Sequence, residues 1–93
     1  MDRIYNHNAN KILIICKKSI KTQWKEEIKK FTSLGGHFII EKTESTKPKR
    51  MKAYRSISNA NQGILITNYQ TFLNEQKEFD ALKFDFVLIK TLH

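Results

Sequence analysis

Apolar residues in this chain gather into short runs separated by polar, lysine-rich stretches. Ile12-Leu13-Ile14-Ile15-Cys16 is continuous, largely β-branched and bounded by Lys11 and Lys17. A run without alternation suits a strand covered on both faces, as in a parallel sheet. Ile20, Trp24, Ile28 and Phe31 then recur at helical spacing, with Ser19 as candidate N-cap and Lys21, Lys25, Glu26, Lys29 and Lys30 largely outside the apolar stripe. Leu34-Gly35-Gly36 predicts the helix stop, because glycine accepts the left-handed conformation that closes helices. Phe38-Ile39-Ile40 predicts a second strand and Glu41 to Lys47 a polar linker. Pro48, at a first helical position, opens a helix on which Met51, Tyr54 and Ile57 share a face, and Asn59 to Gly63 ends it. Ile64-Leu65-Ile66 predicts a third strand, Tyr69, Phe72 and Leu73 open a third helix, and Phe86-Val87-Leu88-Ile89 predicts a fourth strand.

The order βαβαβαβ, without internal repeats, predicts an α/β fold built on an open parallel sheet with flanking helices. Strands joined by helices return to the same end of the sheet and so run parallel. Ligands of such sheets sit beyond the carboxyl ends of the strands. Those ends are Cys16-Lys17-Lys18-Ser19, Thr67-Asn68-Tyr69 and Lys90-Thr91-Leu92-His93. Helix starts at the first two offer backbone N–H groups to a phosphate.

Charge sharpens this picture. Seventeen Lys and Arg against nine Asp and Glu leave a net charge of +8, which favours polyanionic partners such as nucleic acid. The excess is uneven, since fourteen of the basic residues and only five of the acidic ones precede position 61. One cluster is Lys17, Lys18, Lys21, Lys25, Lys29 and Lys30; the other is Lys42, Lys47, Lys49, Arg50, Lys52 and Arg55. The second lies partly in the first turns of a helix, where the dipole disfavours cations, and solvent is the favoured neighbour for Lys49, Arg50 and Lys52.

No apolar run approaches the roughly 18 residues needed to cross a bilayer, and Met1 to Asn10 contain no apolar stretch of a secretory signal. The single cysteine excludes an internal disulfide framework and suits a reducing, intracellular compartment, cytoplasmic or nuclear. Cys16 ends an apolar strand with no ligand partner at metal spacing, so a buried structural thiol is expected. His7, His37 and His93 are scattered, and no metal site is expected. Trp24 shares a face with Ile20 and Ile28 and is expected in the core. Tyr69 is equally compatible with packing and with lying beside a nucleic acid. Thr67 and Asn68 are candidate N-caps, candidate phosphate contacts, or both.

The ordered set of motifs resembles the Swi/Snf-type helicase-like ATPases, relatives of the superfamily-two DEAD/DEAH-box helicases. Ile12-Leu13-Ile14-Ile15-Cys16-Lys17-Lys18-Ser19-Ile20 followed by Gln23-Trp24-Lys25-Glu26-Glu27 and Phe31 is similar to that family's motif Ia. Gly63-Ile64-Leu65-Ile66-Thr67-Asn68-Tyr69 is similar to motif Ib, and Asp85-Phe86-Val87-Leu88-Ile89 stands where the family's strand leads into its DEAH box. The resemblance implies a partial RecA-like helicase ATP-binding lobe over residues 11–93, preceded by a tail at 1–10. In the family, ATP hydrolysis with Mg²⁺ drives translocation along duplex DNA.

Departures from the pattern fall at the nucleotide site. No Gly-x-x-x-x-Gly-Lys-Ser/Thr P-loop occurs, the only glycines being Gly35, Gly36 and Gly63. The DEAH position reads Lys90-Thr91-Leu92-His93, keeping only the histidine, and Cys16 precedes Lys17 where the family usually has proline. Phosphoryl transfer needs a phosphate cradle, a metal and a group that orients water. The chain alone is therefore expected to hold no ATP, no Mg²⁺ and no catalytic residue. Lys17, Lys18, Ser19, Lys21, Thr67, Asn68 and Tyr69 correspond to DNA-facing loops, implying weak, backbone-directed DNA binding. The leading expectation is a truncated segment of a Swi/Snf-type DNA-dependent ATPase, with the remainder of a split helicase as partner. The alternatives are a stand-alone, non-enzymatic basic nucleic-acid-binding module and a gene fragment without independent function. Strands that belong inside a larger lobe, Ile12–Cys16, Ile64–Ile66 or Phe86–Ile89, are expected to present edges that favour self-association.

Overall fold

A computed structural model describes residues 10–32 and 38–90, with the side chains of residues 31 and 32 left aside. The sequence-predicted helix stop at Leu34–Gly36, the tail before Asn10 and the DEAH-position residues Thr91, Leu92 and His93 lie outside the described residues. The elements are β1 (Lys11–Cys16), a 3₁₀ turn (Lys18–Ile20), α1 (Lys21–Thr32), β2 (Ile39–Lys42), α2 (Lys47–Asn59), β3 (Gly63–Asn68), α3 (Tyr69–Asn74), α4 (Gln76–Leu82) and β4 (Phe86–Ile89).

The four strands form one parallel sheet in the order β2-β3-β1-β4. This is an α/β fold of the expected kind. The two strands buried almost throughout, β1 and β3, take the middle, and their register sets Lys11 against Gly63 and Cys16 against Asn68. Central strands are covered on both faces, which is why neither alternates. Ile12, Ile14, Cys16, Ile64 and Ile66 pack on one face with Ile28 and the partly buried Ile20, Trp24, Phe86 and Leu88. Leu13, Ile15 and Leu65 pack on the other with Ala53, Tyr54, Ile57, Phe79 and Leu82. Each fully buried aliphatic side chain of this kind stabilises the fold by about 1.5–3 kcal/mol relative to exposure.

Helix placement follows from the strand order. The step from β1 to β2 runs one way across the sheet, and the steps from β2 to β3 and from β3 to β4 run the other way. Crossovers of one hand then put α1 on one face and α2, α3 and α4 on the opposite face, in agreement with the two clusters. Gly63 opens β3 beneath α2, where a Cβ would lie 3.0 Å from Ile57 Cδ1.

Several local expectations shift. The second strand is Ile39–Lys42, not Phe38–Ile40, so Glu41 and Lys42 belong to it and the linker is shorter. As an edge strand paired only with β3, β2 needs no continuous apolar run. Pro48 is the second residue of α2, which starts at Lys47 after Thr46. Of the three strands expected to present an edge, β1 and β3 are internal and only β4 lies at a border, with Val87 and Ile89 about half exposed. Asp85, just before β4, accepts hydrogen bonds from the backbone N–H groups of Asn10 and Lys11 at 2.9 Å each, and these hold its carboxyl below the usual range.

The third helix is broken in two at Glu75, whose backbone leaves the helical region at φ −127° and ψ 41°. Arg50 holds Glu75 at the break. Its Nε and Nη2 donate to Glu75 Oε1 at 3.0 Å and Oε2 at 3.1 Å, and its Nη1 donates to the carbonyls of Ser45 (2.9 Å) and Glu44 (3.2 Å). The Tyr54 hydroxyl donates to Glu75 Oε1 at 2.5 Å. Arg50 is thus a clamp between α2 and the α3–α4 junction, and the expectation that solvent surrounds it is overturned; Lys49 and Lys52 are exposed, as expected. Burial alone would raise the Glu75 pKa, but the hydrogen bonds from Arg50 and Tyr54 outweigh it and hold the carboxyl below its usual range.

This clamp gives a pH-dependent prediction. Because folding depresses the Glu75 pKa, its stabilisation is fully present above the unfolded carboxylate value of about 4.3 and fades as pH falls through the folded value. Glu75→Ala should destabilise the chain by about 1–3 kcal/mol at neutral pH, since it strands a charged donor. Urea unfolding of both proteins from neutral to acidic pH should show the difference closing only at the acid end.

Candidate nucleic-acid interface at the carboxyl edge of the sheet

Adjacent strands β1 and β3 send the chain to opposite faces, into α1 and α3 respectively. That reversal falls at their carboxyl ends, the place where open α/β sheets bind ligands. Most of the sequence-predicted site residues lie there. Lys17, Lys18 and Ser19 leave β1 through the 3₁₀ turn and are all exposed. Thr67 and Asn68 end β3 and are buried, at 0% and 7% exposure, and Tyr69 opens α3 with 41% exposure.

Ser19 does not cap α1. It sits inside the 3₁₀ turn, whose preceding residue Lys17 makes no side-chain cap hydrogen bond. Asn68 holds the N-cap position of α3, yet its side chain makes no cap hydrogen bond either. Its Oδ1 instead accepts from Thr71 Oγ1 at 3.1 Å and from Lys21 Nζ at 3.0 Å. Thr67 is likewise no cap, since its hydroxyl is shared with Thr43 Oγ1 at 3.1 Å.

Lys21 departs most from expectation. Periodicity placed it off the apolar stripe, but it is only 8% exposed. As the first residue of α1 it lies above the sheet edge, and its ammonium reaches across to the neighbouring strand ends. Nζ donates to the Thr43 carbonyl at 2.7 Å and Thr43 Oγ1 at 3.1 Å, as well as to Asn68. Three acceptors match the three hydrogens of an ammonium. All three acceptors are neutral. Burial first, and then the charge of Lys42, push the Lys21 pKa down. Burial also pushes the Cys16 thiol up, partly offset by Lys21, which fits the structural role expected of that buried cysteine.

Thr43 was missed by sequence reading because it falls in the stretch taken for a linker. It is 1% exposed, and its N–H donates to the Ile66 carbonyl at 3.0 Å, extending the β2–β3 ladder. A β-branched residue directly after the strand was the only signal available. Beside it, Lys42 Nζ pairs with Glu44 Oε2 at 3.1 Å, and that hydrogen bond lowers the Glu44 pKa.

Lys90 follows β4 at the same edge, where its N–H donates to the Ile15 carbonyl at 2.7 Å. Its ammonium lies 5.5 Å from the centroid of the Trp24 ring, a cation–π distance. Trp24 itself packs against the core, as its position in the stripe predicts. Among the described residues no three His, Cys, Asp or Glu side chains gather as a metal site would require, and no helix is long and apolar enough to cross a membrane.

The buried lysine predicts a second pH effect, of opposite sense to that of Glu75. With a folded pKa below the unfolded value of about 10.4, the unfolded state binds more protons between the two values. Stability attributable to this group therefore rises as pH climbs through that window. Chemical denaturation of the natural chain and of Lys21→Met, from neutral pH to about 10, should show the natural chain gaining on the variant with increasing pH.

No curated protein and no solved structure matches the chain at a significant level. The family model of the SNF2-related domain matches residues 2–93. That match spans every strand of the sheet, from β1 to β4, and the chain belongs to the SNF2-related domain family.

Proposed function

We propose that this chain works as a DNA-facing segment of the first RecA-like lobe of a Swi/Snf-type DNA-dependent ATPase, contacting the duplex backbone and holding no nucleotide of its own. The observation that carries the reading is the exposed, uncapped Lys17–Lys18–Ser19 turn after β1, with the exposed Tyr69 after the adjacent strand β3. Two exposed lysines and a hydroxyl suit phosphate oxygens, which fix orientation on DNA without reading sequence. Family membership supports the assignment of these loops to motifs Ia and Ib.

The nucleotide half of the reading rests on chemistry. These 93 residues contain no glycine-rich phosphate loop. At the position where the family's acidic residue holds Mg²⁺, Lys90 supplies a cation. A unit charge pair at about 4 Å is worth about 4 kcal/mol at intermediate dielectric, so a divalent ion beside it meets roughly twice that in repulsion before screening. Coupling to ATP would then come from elsewhere in the assembled enzyme.

Two measurements test the proposal. Duplex binding should weaken steeply with salt, and Lys17→Gln combined with Lys18→Gln should reduce the slope of log affinity against log salt by roughly 0.9 per contact removed. An unchanged slope would make these lysines ordinary surface charge. Titration calorimetry with Mg-ATP should give no saturable heat, and micromolar binding would refute the nucleotide half of the reading.

A further inference from the structure

We infer that Lys21 is a positioning residue: its buried ammonium ties the ends of β2 and β3 to the start of α1, so that the Lys17–Ser19 turn and the Thr67–Tyr69 segment meet a nucleic-acid backbone as one surface. The inference takes its ligand from the functional reading above and its mechanism from hydrogen-bond geometry. Among the described residues, the buried polar and charged side chains are Lys21, Thr43, Thr67 and Asn68, and they form one connected network. Elsewhere apolar packing holds the sheet without such a group.

The charge of Lys21 does not serve an ion pair. The ionisable groups facing it are Cys16 on β1, Lys18 on the turn, Lys42 on β2 and Glu44 just beyond β2, so cations outnumber the one carboxylate. Burying an ammonium among neutral acceptors is a poor way to stabilise a sheet, because its lost hydration is only partly replaced. An apolar side chain would fill the position at less cost. What the ammonium adds is direction: three bonds of 2.7, 3.1 and 3.0 Å set the Thr43 and Asn68 strand ends relative to α1. Lys21 thus moves from the contact set to one layer behind it.

Preorganisation and phosphate contact leave different signatures, because only contacts release counterions. The full chain, with Lys21→Met, Lys21→Arg, Asn68→Ala and the Lys21→Met/Asn68→Ala pair, is titrated with duplex DNA across a salt series. Lys21→Met should bind roughly tenfold more weakly with an unaltered salt slope, Lys21→Arg should recover part of the loss, and the pair should be non-additive. In the free natural chain, the Lys21 ammonium should give a slowly exchanging nitrogen-15 signal, and the Thr43 amide should be protected from hydrogen exchange. A slope lowered by about one unit in Lys21→Met makes Lys21 a phosphate contact and overturns the inference. An ammonium that exchanges as fast as that of Lys17 overturns it too. Should Lys21→Met fail to fold, Thr43→Val decides: weaker binding at constant slope supports positioning, and unchanged binding refutes it. If the natural chain binds no duplex DNA, the functional reading fails and the DNA part of this inference with it, while the ammonium signal still decides whether Lys21 anchors the strand ends.

Discussion

Pairing of β1 with β3 along six residues sets the geometry of everything else in the molecule. Both strands are buried at nearly every position, so neither has a solvated face, and helices cover them from both sides. The chain satisfies this by stepping across the sheet in opposite senses after the two strands. That reversal covers both faces and parts the chain at the carboxyl ends. Because Cys16 lies in register with Asn68, the segments that follow β1 and β3 start side by side at that edge.

Sequence patterns disclosed those parts of the fold that depend on local periodicity. Continuous β-branched runs identified β1 and β3, and the 3.6-residue recurrence of Ile20, Trp24 and Ile28 identified α1 and its buried stripe. Relationships that depend on partners distant in sequence were hidden. Nothing near position 75 announces a helix break, and the group that holds Glu75 there, Arg50, is twenty-five residues upstream. The same pairing disguised Arg50 as one more solvated cation in a basic cluster. β2 was misplaced because an edge strand can carry Glu41 and Lys42.

The site was legible in its position and partly illegible in its chemistry. Strand ends located Lys17, Ser19, Asn68 and Tyr69 correctly on the carboxyl edge. Helical periodicity then misjudged Lys21, since a residue in the first turn of a helix beyond the sheet edge can lean over the strand termini whatever its angle to the apolar stripe. Thr67 and Asn68 were read as candidate caps, candidate phosphate contacts or both, and their side chains join the buried ammonium network rather than capping α3. The two clamps in this molecule also differ in kind. Glu75 is held by a cation and a hydroxyl and contributes stability, whereas Lys21 is held by neutral dipoles and spends stability on geometry.

The staple at Asp85 bears on how the sheet would carry mechanical load. Its carboxylate fastens the start of β1 to the approach of β4 at the amino edge, while the Lys21 network fastens strand ends at the carboxyl edge. A force drawn along the strands from the carboxyl edge would load the β1–β3 ladder in shear, so that all six registered pairs resist together rather than one after another. β4, joined through four pairs along one side, would instead peel if pulled sideways. The sheet is thus stiff along its strands and weak across its outer border, an anisotropy suited to passing a displacement through the strands without absorbing it.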